Sequence, residues 1–144
     1  MKRIPSWVLV GGQLSLFGYL LVSGSWMGWH GGWLLISGGA ALGVWALATM
    51  KFRYLRVMPE VHPEGRLLIH GPYRWVRHPM YSSLLLCSAG VVGGDPQGPR
   101  LAALAGLVVV LVVKLTREER MLREAFPDYA AYEEKTKRLV PGMW

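Results

Sequence analysis

Two groups of charged and hydrogen-bonding residues stand out in an otherwise apolar chain. The first is the stretch from Gly71 to Tyr81, where glycine, proline, aromatic residues, arginines and a histidine crowd together between long apolar segments. The second is Arg117 to Arg120, with the sequence Arg-Glu-Glu-Arg, at the end of the last apolar run. Charged groups at the edge of lipid are costly, so by default they indicate a function. The alternative for the first group is a basic loop that only orients the protein in the membrane.

The two groups offer charges of both signs. Arginine side chains bind carboxylates and phosphates, whereas glutamates bind ammonium groups or ribose hydroxyls. If the groups meet in space, they form a pocket suited to a zwitterionic ligand. A salt bridge between the groups that merely locks the helix ends explains the spacing equally well, and the residues alone leave both interpretations open.

The composition predicts a membrane protein of one domain. The 144 residues are 52% hydrophobic, with a mean hydropathy of +0.27, which is too apolar for an ordinary soluble domain of this size. Several apolar stretches approach 20 residues, the length that spans the hydrocarbon core as a helix. We therefore expect an all-α, polytopic integral membrane protein with about four transmembrane helices, C-terminal interfacial helices and no Rossmann domain.

Residues 1–50 are predicted to contain two transmembrane helices. The first apolar run extends from Trp7 to about Ser23; although basic residues precede it, as in a signal peptide, it is too long and lacks a convincing cleavage site. The second run extends from Trp33 to Met50. Both carry small residues of the kind that let membrane helices approach closely: Gly11, Gly12, Ser15 and Gly18 in the first, and Ser37, Gly38, Gly39 and Gly43 in the second.

The second half of the chain holds two further apolar runs. Pro79 is suited to the first turn of a helix, and the third run follows it to about Gly94, which is short for a full crossing. The sequence after Gly94 predicts a tight hairpin to the fourth run, which then merges into a charged helix from Lys114. From Thr116 to Lys137 the pattern is amphipathic and Pro127 interrupts it, so we expect two short helices at the membrane surface.

The distribution of basic residues predicts the topology. With four crossings, 15 of the 16 lysines and arginines fall on one side and only Arg100 on the other. By the positive-inside rule both termini and both charged groups then face the cytoplasm. The same placement argues against nucleic acid as a partner, despite the net charge of +7.

Other chemistries have little support in the sequence. The four histidines show no HExxH spacing and Cys87 is the single cysteine, so no metal site is expected. Cys87 lies within an apolar run and is interpreted as a buried spectator thiol. There is no P-loop, no GxGxxG between a strand and a helix, and no motif for a serine triad.

Five sequence features occur in an order that resembles a known family. They are Leu67-Leu68-Ile69-His70-Gly71-Pro72-Tyr73, Arg77-His78-Pro79-Met80-Tyr81, Glu118-Glu119-x-x-Leu122, Phe126-Pro127-Asp128-Tyr129-x-x-Tyr132 and Pro141. In this combination the chain resembles the isoprenylcysteine carboxyl methyltransferases and, more loosely, the bacterial phospholipid N-methyltransferases. The resemblance covers about half of the chain.

The resemblance implies an integral membrane enzyme that uses S-adenosyl-L-methionine and releases S-adenosyl-L-homocysteine. Residues 51–144 would then be the cofactor-binding and catalytic region. Arg77 and Glu119 would be catalytic, and Lys114 and Arg117 would lie near the substrate. The residues implied to bind the cofactor are Leu67, Leu68, Tyr73, His78, Pro79, Met80, Tyr81 and Glu118.

The sequence departs from the family pattern at one point. The cofactor stretch reads Gly65-Arg66-Leu67-Leu68 where the isoprenylcysteine enzymes usually have His-x-Leu-Val, and His62 or His70 could replace that histidine only by rearrangement. This weakens isoprenylcysteine as the substrate more than it weakens methyl transfer. A carboxylate or thiolate acceptor needs no general base, whereas an amine acceptor would call on Glu119 or His78.

The expected partners are a lipophilic substrate entering from the bilayer and membrane lipids. Two alternatives remain: a membrane reductase of the sterol-reductase type, which would prefer NADPH, and a non-catalytic membrane subunit whose basic loop docks a partner or anionic lipids.

Overall fold

The protein is a bundle of helices. A computed structural model describes residues 5–24, 30–50 and 67–142. Within these ranges the backbone is helical apart from turns and one isolated bridge, which confirms the predicted all-α membrane architecture. The helices are α1 (Ser6–Ser23), α2 (His30–Met50), α3 (Pro79–Gly94), α4 (Gly98–Ala125) and α5 (Tyr129–Lys135), and a 3₁₀ turn (Gly71–Arg74) precedes α3.

Three of the described helices are long and apolar enough to cross a membrane, namely α1, α2 and α4. The fourth apolar helix, α3, has 16 residues and is therefore about 24 Å long, shorter than a hydrocarbon core of about 30 Å. It begins at Pro79, as predicted. Residues 25–29 and 51–66 lie outside the described residues, and with them His62, Gly65 and Arg66 of the sequence comparison.

Helix α2 packs along α3 through a close backbone contact. A Cβ atom on Gly39 would lie 2.9 Å from the carbonyl oxygen of Ser83, so only glycine fits there. The Ser83 hydroxyl donates to the carbonyl oxygen of Gly39 at 2.6 Å. The small-residue face predicted for α2 is confirmed at this position. In α1, by contrast, Gly12 faces Val110 of α4, whereas Gly11 and Gly18 border open space.

The interior lies between α1, α3 and α4, where five buried side chains form one cluster: Leu20, Val92, Ala103, Leu107 and Leu111. At one end of this core the predicted hairpin between α3 and α4 is present. There Arg100 donates to the carboxylate and the carbonyl of Asp95 and to the carbonyl of Ser23, so one side chain joins α4 to the hairpin and to the end of α1.

Helix α4 continues without a break from the apolar core into the charged region. The first of the two predicted surface helices is therefore the last part of α4, which ends at Ala125 because the residue before a proline avoids helical geometry. The second surface helix is α5. This continuity fixes the charged residues of α4 relative to the core.

The 3₁₀ turn before α3 is fixed against the end of α2. Gly71 has a φ of 61°, in the left-handed region, and a Cβ atom there would lie 2.5 Å from the Thr49 hydroxyl oxygen. Beyond the turn, the ring of Trp75 meets that of Trp45 edge-on at 5.6 Å. Both contacts hold the polar stretch that leads into α3 against the bundle.

Candidate functional site

The two charged groups meet where α3 begins and α4 leaves the apolar core. The Tyr81 hydroxyl, in the first turn of α3, donates to Oε2 of Glu118 in α4 at 2.9 Å. The His78 ring stacks on the Tyr81 ring, with centroids 5.4 Å apart and planes 11° apart. The sequence-based expectation that these distant groups converge is therefore confirmed.

Glu119 is the buried centre of an ion-pair network. Its side chain is only 1% exposed. Oε1 accepts a hydrogen bond from Nε of Arg77 at 2.8 Å and lies 3.4 Å from Nε2 of His78, while Oε2 accepts from Nε of Arg138 at 3.0 Å. Two guanidinium groups thus offset the cost of burying this carboxylate.

Arg77 joins this network to the end of α5. Its side chain is 8% exposed, and Nη1 donates to the carbonyl oxygens of Glu133 and Thr136 at 3.1 and 2.6 Å. These carbonyls lie at the C-terminal end of α5, where a cation is favoured by unpaired acceptors and the helix dipole.

Glu118 is placed quite differently from its neighbour in the sequence. Its side chain is 32% exposed, and its carboxylate lies 3.7 Å from Nδ1 of His78 in addition to the bond from Tyr81. The two adjacent glutamates therefore differ: Glu119 is buried in ion pairs that join the helix ends, whereas the Glu118 carboxylate remains partly accessible.

Tyr73 lies in the 3₁₀ turn and is buried. Its carbonyl oxygen accepts a hydrogen bond from the Tyr132 hydroxyl at 2.6 Å, which ties the turn to α5. Burial raises the pKa of the Tyr73 phenol, and the nearby Glu118 carboxylate raises it further. Burial also raises the pKa of Tyr132 to about 12. Both phenols therefore keep their protons at neutral pH, and that of Tyr132 acts as a donor.

Lys114 lies one helical turn before Glu118, on the same face of α4. Its ammonium group donates to Oε1 of Gln13 in α1 at 2.6 Å and lies 5.3 Å from the centroid of the Tyr81 ring. The residue is only 3% exposed. Among the described residues, the hydrogen-bond partner of this cation is thus a neutral amide.

The other predicted site residues are buried or half-buried in the same elements of the chain or next to them. Pro79 is buried at the start of α3, and Met80 after it is half-buried. Leu67 and Leu68 are half-buried in the extended segment before the 3₁₀ turn, and Arg117 is half-buried in α4 beside Glu118.

Three residues at or near the site were not among the predicted ones: Gln13, Thr136 and Arg138. Gln13 carries a detectable signal, because a glutamine within a membrane-length apolar run is unusual. Arg138 and Thr136 carry none, because their role depends on how the chain returns after α5.

Metal-binding side chains are not grouped in the described part of the chain: no three histidine, cysteine, aspartate or glutamate residues there lie close enough to hold an ion.

The thiol of Cys87 is half-buried and donates to the carbonyl of Ile36 at 3.6 Å.

The sequence of the region that builds the site matches a known family. The phospholipid methyltransferase family model matches residues 29–129, which include α2, α3, α4 and both charged groups. The chain belongs to the phospholipid methyltransferase family. The predicted kinship with membrane methyltransferases is thereby confirmed, and members of this family generally use S-adenosylmethionine. Helix α1 and the residues after Tyr129 lie outside the match.

The chain is also similar to the cobalt-zinc-cadmium resistance protein CzcN of Cupriavidus metallidurans. It is 31% identical over 122 residues, which cover 80% of this chain and 54% of the relative. The chain thus spans about half the length of the relative that it matches. No solved structure matches the chain.

Proposed function

We propose that this protein transfers a methyl group from S-adenosylmethionine to a lipid-like acceptor at the membrane. Membership of the family supports methyl transfer, and the partly exposed Glu118 carboxylate, held by Tyr81 beside His78, is the single observation that supports a cofactor site at this place. Such a carboxylate suits either the ammonium group or the ribose hydroxyls of the cofactor.

The chemistry of the described side chains fits this cofactor. S-adenosylmethionine carries a carboxylate, an ammonium group and a sulfonium cation, and the site offers a carboxylate, protonated phenols and a histidine side by side. In this proposal the holding residues are those predicted from the sequence: Leu67, Leu68, Tyr73, His78, Pro79, Met80, Tyr81 and Glu118.

Bound there, S-adenosylmethionine would supply an electrophilic methyl group for in-line displacement by the acceptor atom, and S-adenosylhomocysteine would be the leaving group. The contribution of the protein is alignment and exclusion of water, because the positive charge is dispersed as the methyl group moves. Helix ends that are locked by the Arg77–Glu119 ion pair suit this role, since they hold Tyr81 and His78 at fixed positions.

The catalytic roles of Arg77 and Glu119 stay predictions, and their contacts favour positioning over proton transfer. Glu119 accepts hydrogen bonds from two arginines, so it is poorly suited to take a proton from an amine. For an amine acceptor, His78 is the better candidate base. A carboxylate or thiolate acceptor needs neither residue.

Lys114 and Arg117 are the proposed acceptor-binding residues, and Gln13 joins them through its contact with Lys114. A buried ammonium group whose nearest partner is a neutral amide favours an acceptor with an anionic group. The acceptor would enter from the bilayer beside α1 and α4. In keeping with the charge distribution, we place the site and both termini on the cytoplasmic side.

The test is incubation of membranes containing the protein with methyl-labelled S-adenosylmethionine and a panel of prenylcysteine, prenyl thiols, fatty acids and aminophospholipids. We expect labelled, organic-extractable product from one acceptor class, and much less at low cofactor concentration with membranes containing the Glu118→Gln variant. Failure to label any class, together with specific binding of NADPH, would instead favour the reductase.

A further inference from the structure

The segment 136–139, named here the C-terminal strap, runs parallel to the residues that precede α3. Val76 and Lys137 form an isolated parallel bridge. The amide of Arg77 donates to the carbonyl of Lys137 at 2.7 Å, and the amide of His78 donates to the carbonyl of Arg138 at 3.0 Å. The backbone of the strap therefore fixes the peptide units of two site residues.

Two side-chain hydrogen bonds, one on each side of the bridge, also join the strap to the residues around the start of α3. The Ser82 hydroxyl in α3 donates to the carbonyl of Leu139 at 2.6 Å, and Arg77 donates to the carbonyl of Thr136. Thr136 and Leu139 are themselves buried. The strap is thus an integral part of the wall behind the site, although it lies beyond the region that matches the family.

Arg138 carries the strap into the ion-pair network. Its Nε donates to Oε2 of Glu119, whereas Nε of Arg77 donates to Oε1. With one oxygen bonded to each arginine, rotation of the carboxylate is opposed from both sides, and Oε1 lies 3.4 Å from Nε2 of His78. The orientation of the imidazole then directs Nδ1 toward Glu118.

We propose that the C-terminal strap positions the cofactor-binding residues, and that Arg138 is its positioning residue, acting through Glu119 on His78 and Glu118. The inference rests on the proposed function, because it assigns the strap to the same cofactor site. It predicts that cofactor affinity depends on a side chain that acts through its ion pair with Glu119.

The test is calorimetric titration of S-adenosylhomocysteine into detergent-purified wild type and variants at one temperature, well below their unfolding midpoints. Arg138→Met removes the charge but keeps most of the aliphatic stem, and we expect about tenfold weaker binding, as for loss of one hydrogen bond to a charged group. Arg138→Lys should restore part of the affinity. Lys135→Met, at the exposed end of α5, removes the same charge and should bind like wild type.

Binding of S-adenosylhomocysteine by Arg138→Met as tightly as by wild type would overturn the inference and leave the proposed function standing. No binding by the wild type would instead overturn the proposed function, and the inference with it. If Arg138→Met does not fold, amide hydrogen exchange of the wild-type protein tests the role of the strap instead. Saturating S-adenosylhomocysteine should slow exchange at the amides of Arg77, His78 and Lys137. Unchanged exchange rates at these amides would overturn the role of the strap.

Discussion

The hydroxyl of Tyr81 donates a 2.9 Å hydrogen bond to the carboxylate of Glu118, which lies 37 residues further along the chain. This bond joins the first turn of α3 to the charged part of α4. Because Glu118 keeps about a third of its side-chain surface exposed, it is both held in place and open to a ligand. Its neighbour Glu119 is buried and paired with Arg77 and Arg138, so the two adjacent glutamates differ in exposure and in partners.

Replacing Glu118 with glutamine should weaken binding of S-adenosylmethionine by about 10- to 100-fold, because a charge-assisted hydrogen bond to the ligand becomes a neutral one. The thermal unfolding midpoint should change little, since the side chain is partly exposed. Calorimetry on purified protein measures the affinity. The matched control is Glu124→Gln, an exposed glutamate on the same helix, and equal affinities of the two variants would contradict the site assignment.

Replacing Glu119 with alanine should destabilise the protein by about 3–5 kcal/mol, because Arg77 and Arg138 lose their shared counter-charge. In a thermal unfolding experiment in detergent we expect the midpoint to fall by about 10 °C or more. Glu124→Ala, which removes only an exposed pair with Arg120, should lower it by less than about 2 °C. Similar midpoints for both variants would show that the buried network does not hold the helix ends.

Replacing Gly71 with alanine should lower stability and cofactor affinity together, because the positive φ is strained for alanine and the methyl group meets Thr49. The strain alone costs about 1–2 kcal/mol. Combining the change with Thr49→Ala should recover only the steric part. Gly98→Ala, where the Cβ atom would enter open space, is the control and should leave the unfolding midpoint nearly unchanged.

Glu133 should add a small, pH-dependent contribution to stability. Hydrogen bonds from Arg123 lower the pKa of its carboxyl group below the usual range. Because the folded-state pKa is the lower one, the contribution is fully present above the unfolded value of about 4.3 and is lost as the pH falls through the folded value. Glu133→Gln should therefore be less stable than wild type at pH 7, by less than about 1 kcal/mol because Arg123 is half-exposed.

Unfolding midpoints of both proteins between pH 7 and pH 3.5 measure this effect. The difference between them should be constant down to about pH 5 and shrink below about pH 4. A difference that is as large at pH 3.5 as at pH 7 would exclude the Arg123 ion pair as its source.

Local sequence was sufficient to predict the apolar helices, the start of α3 at Pro79 and the hairpin near Asp95, because each depends on nearby residues. The meeting of Tyr81 with Glu118 was also predictable, since a short hairpin places the two flanking charged groups at the same end of α3 and α4. The difference in burial between Glu118 and Glu119 could not be predicted. Adjacent residues point to different sides of a helix, and only the packed structure shows which side is buried.

Contacts with the C-terminal strap were beyond prediction for another reason. The bridge between Val76 and Lys137 joins residues 61 positions apart through backbone atoms, which leave no pattern in side-chain types. Two short surface helices were predicted from Thr116 onward, but the first of them is the continuous end of α4. This helix ends at Ala125 because Phe126, the residue before Pro127, avoids helical geometry.

The central claim is that this membrane protein binds S-adenosylmethionine at the Glu118 carboxylate. Calorimetric titration of the detergent-purified protein with S-adenosylmethionine tests it most directly, because binding does not depend on knowing the acceptor. We predict saturable binding with a stoichiometry of one, competition by S-adenosylhomocysteine but not by NADPH, and severe weakening in Glu118→Gln. No heat of binding with the folded wild-type protein would contradict the account.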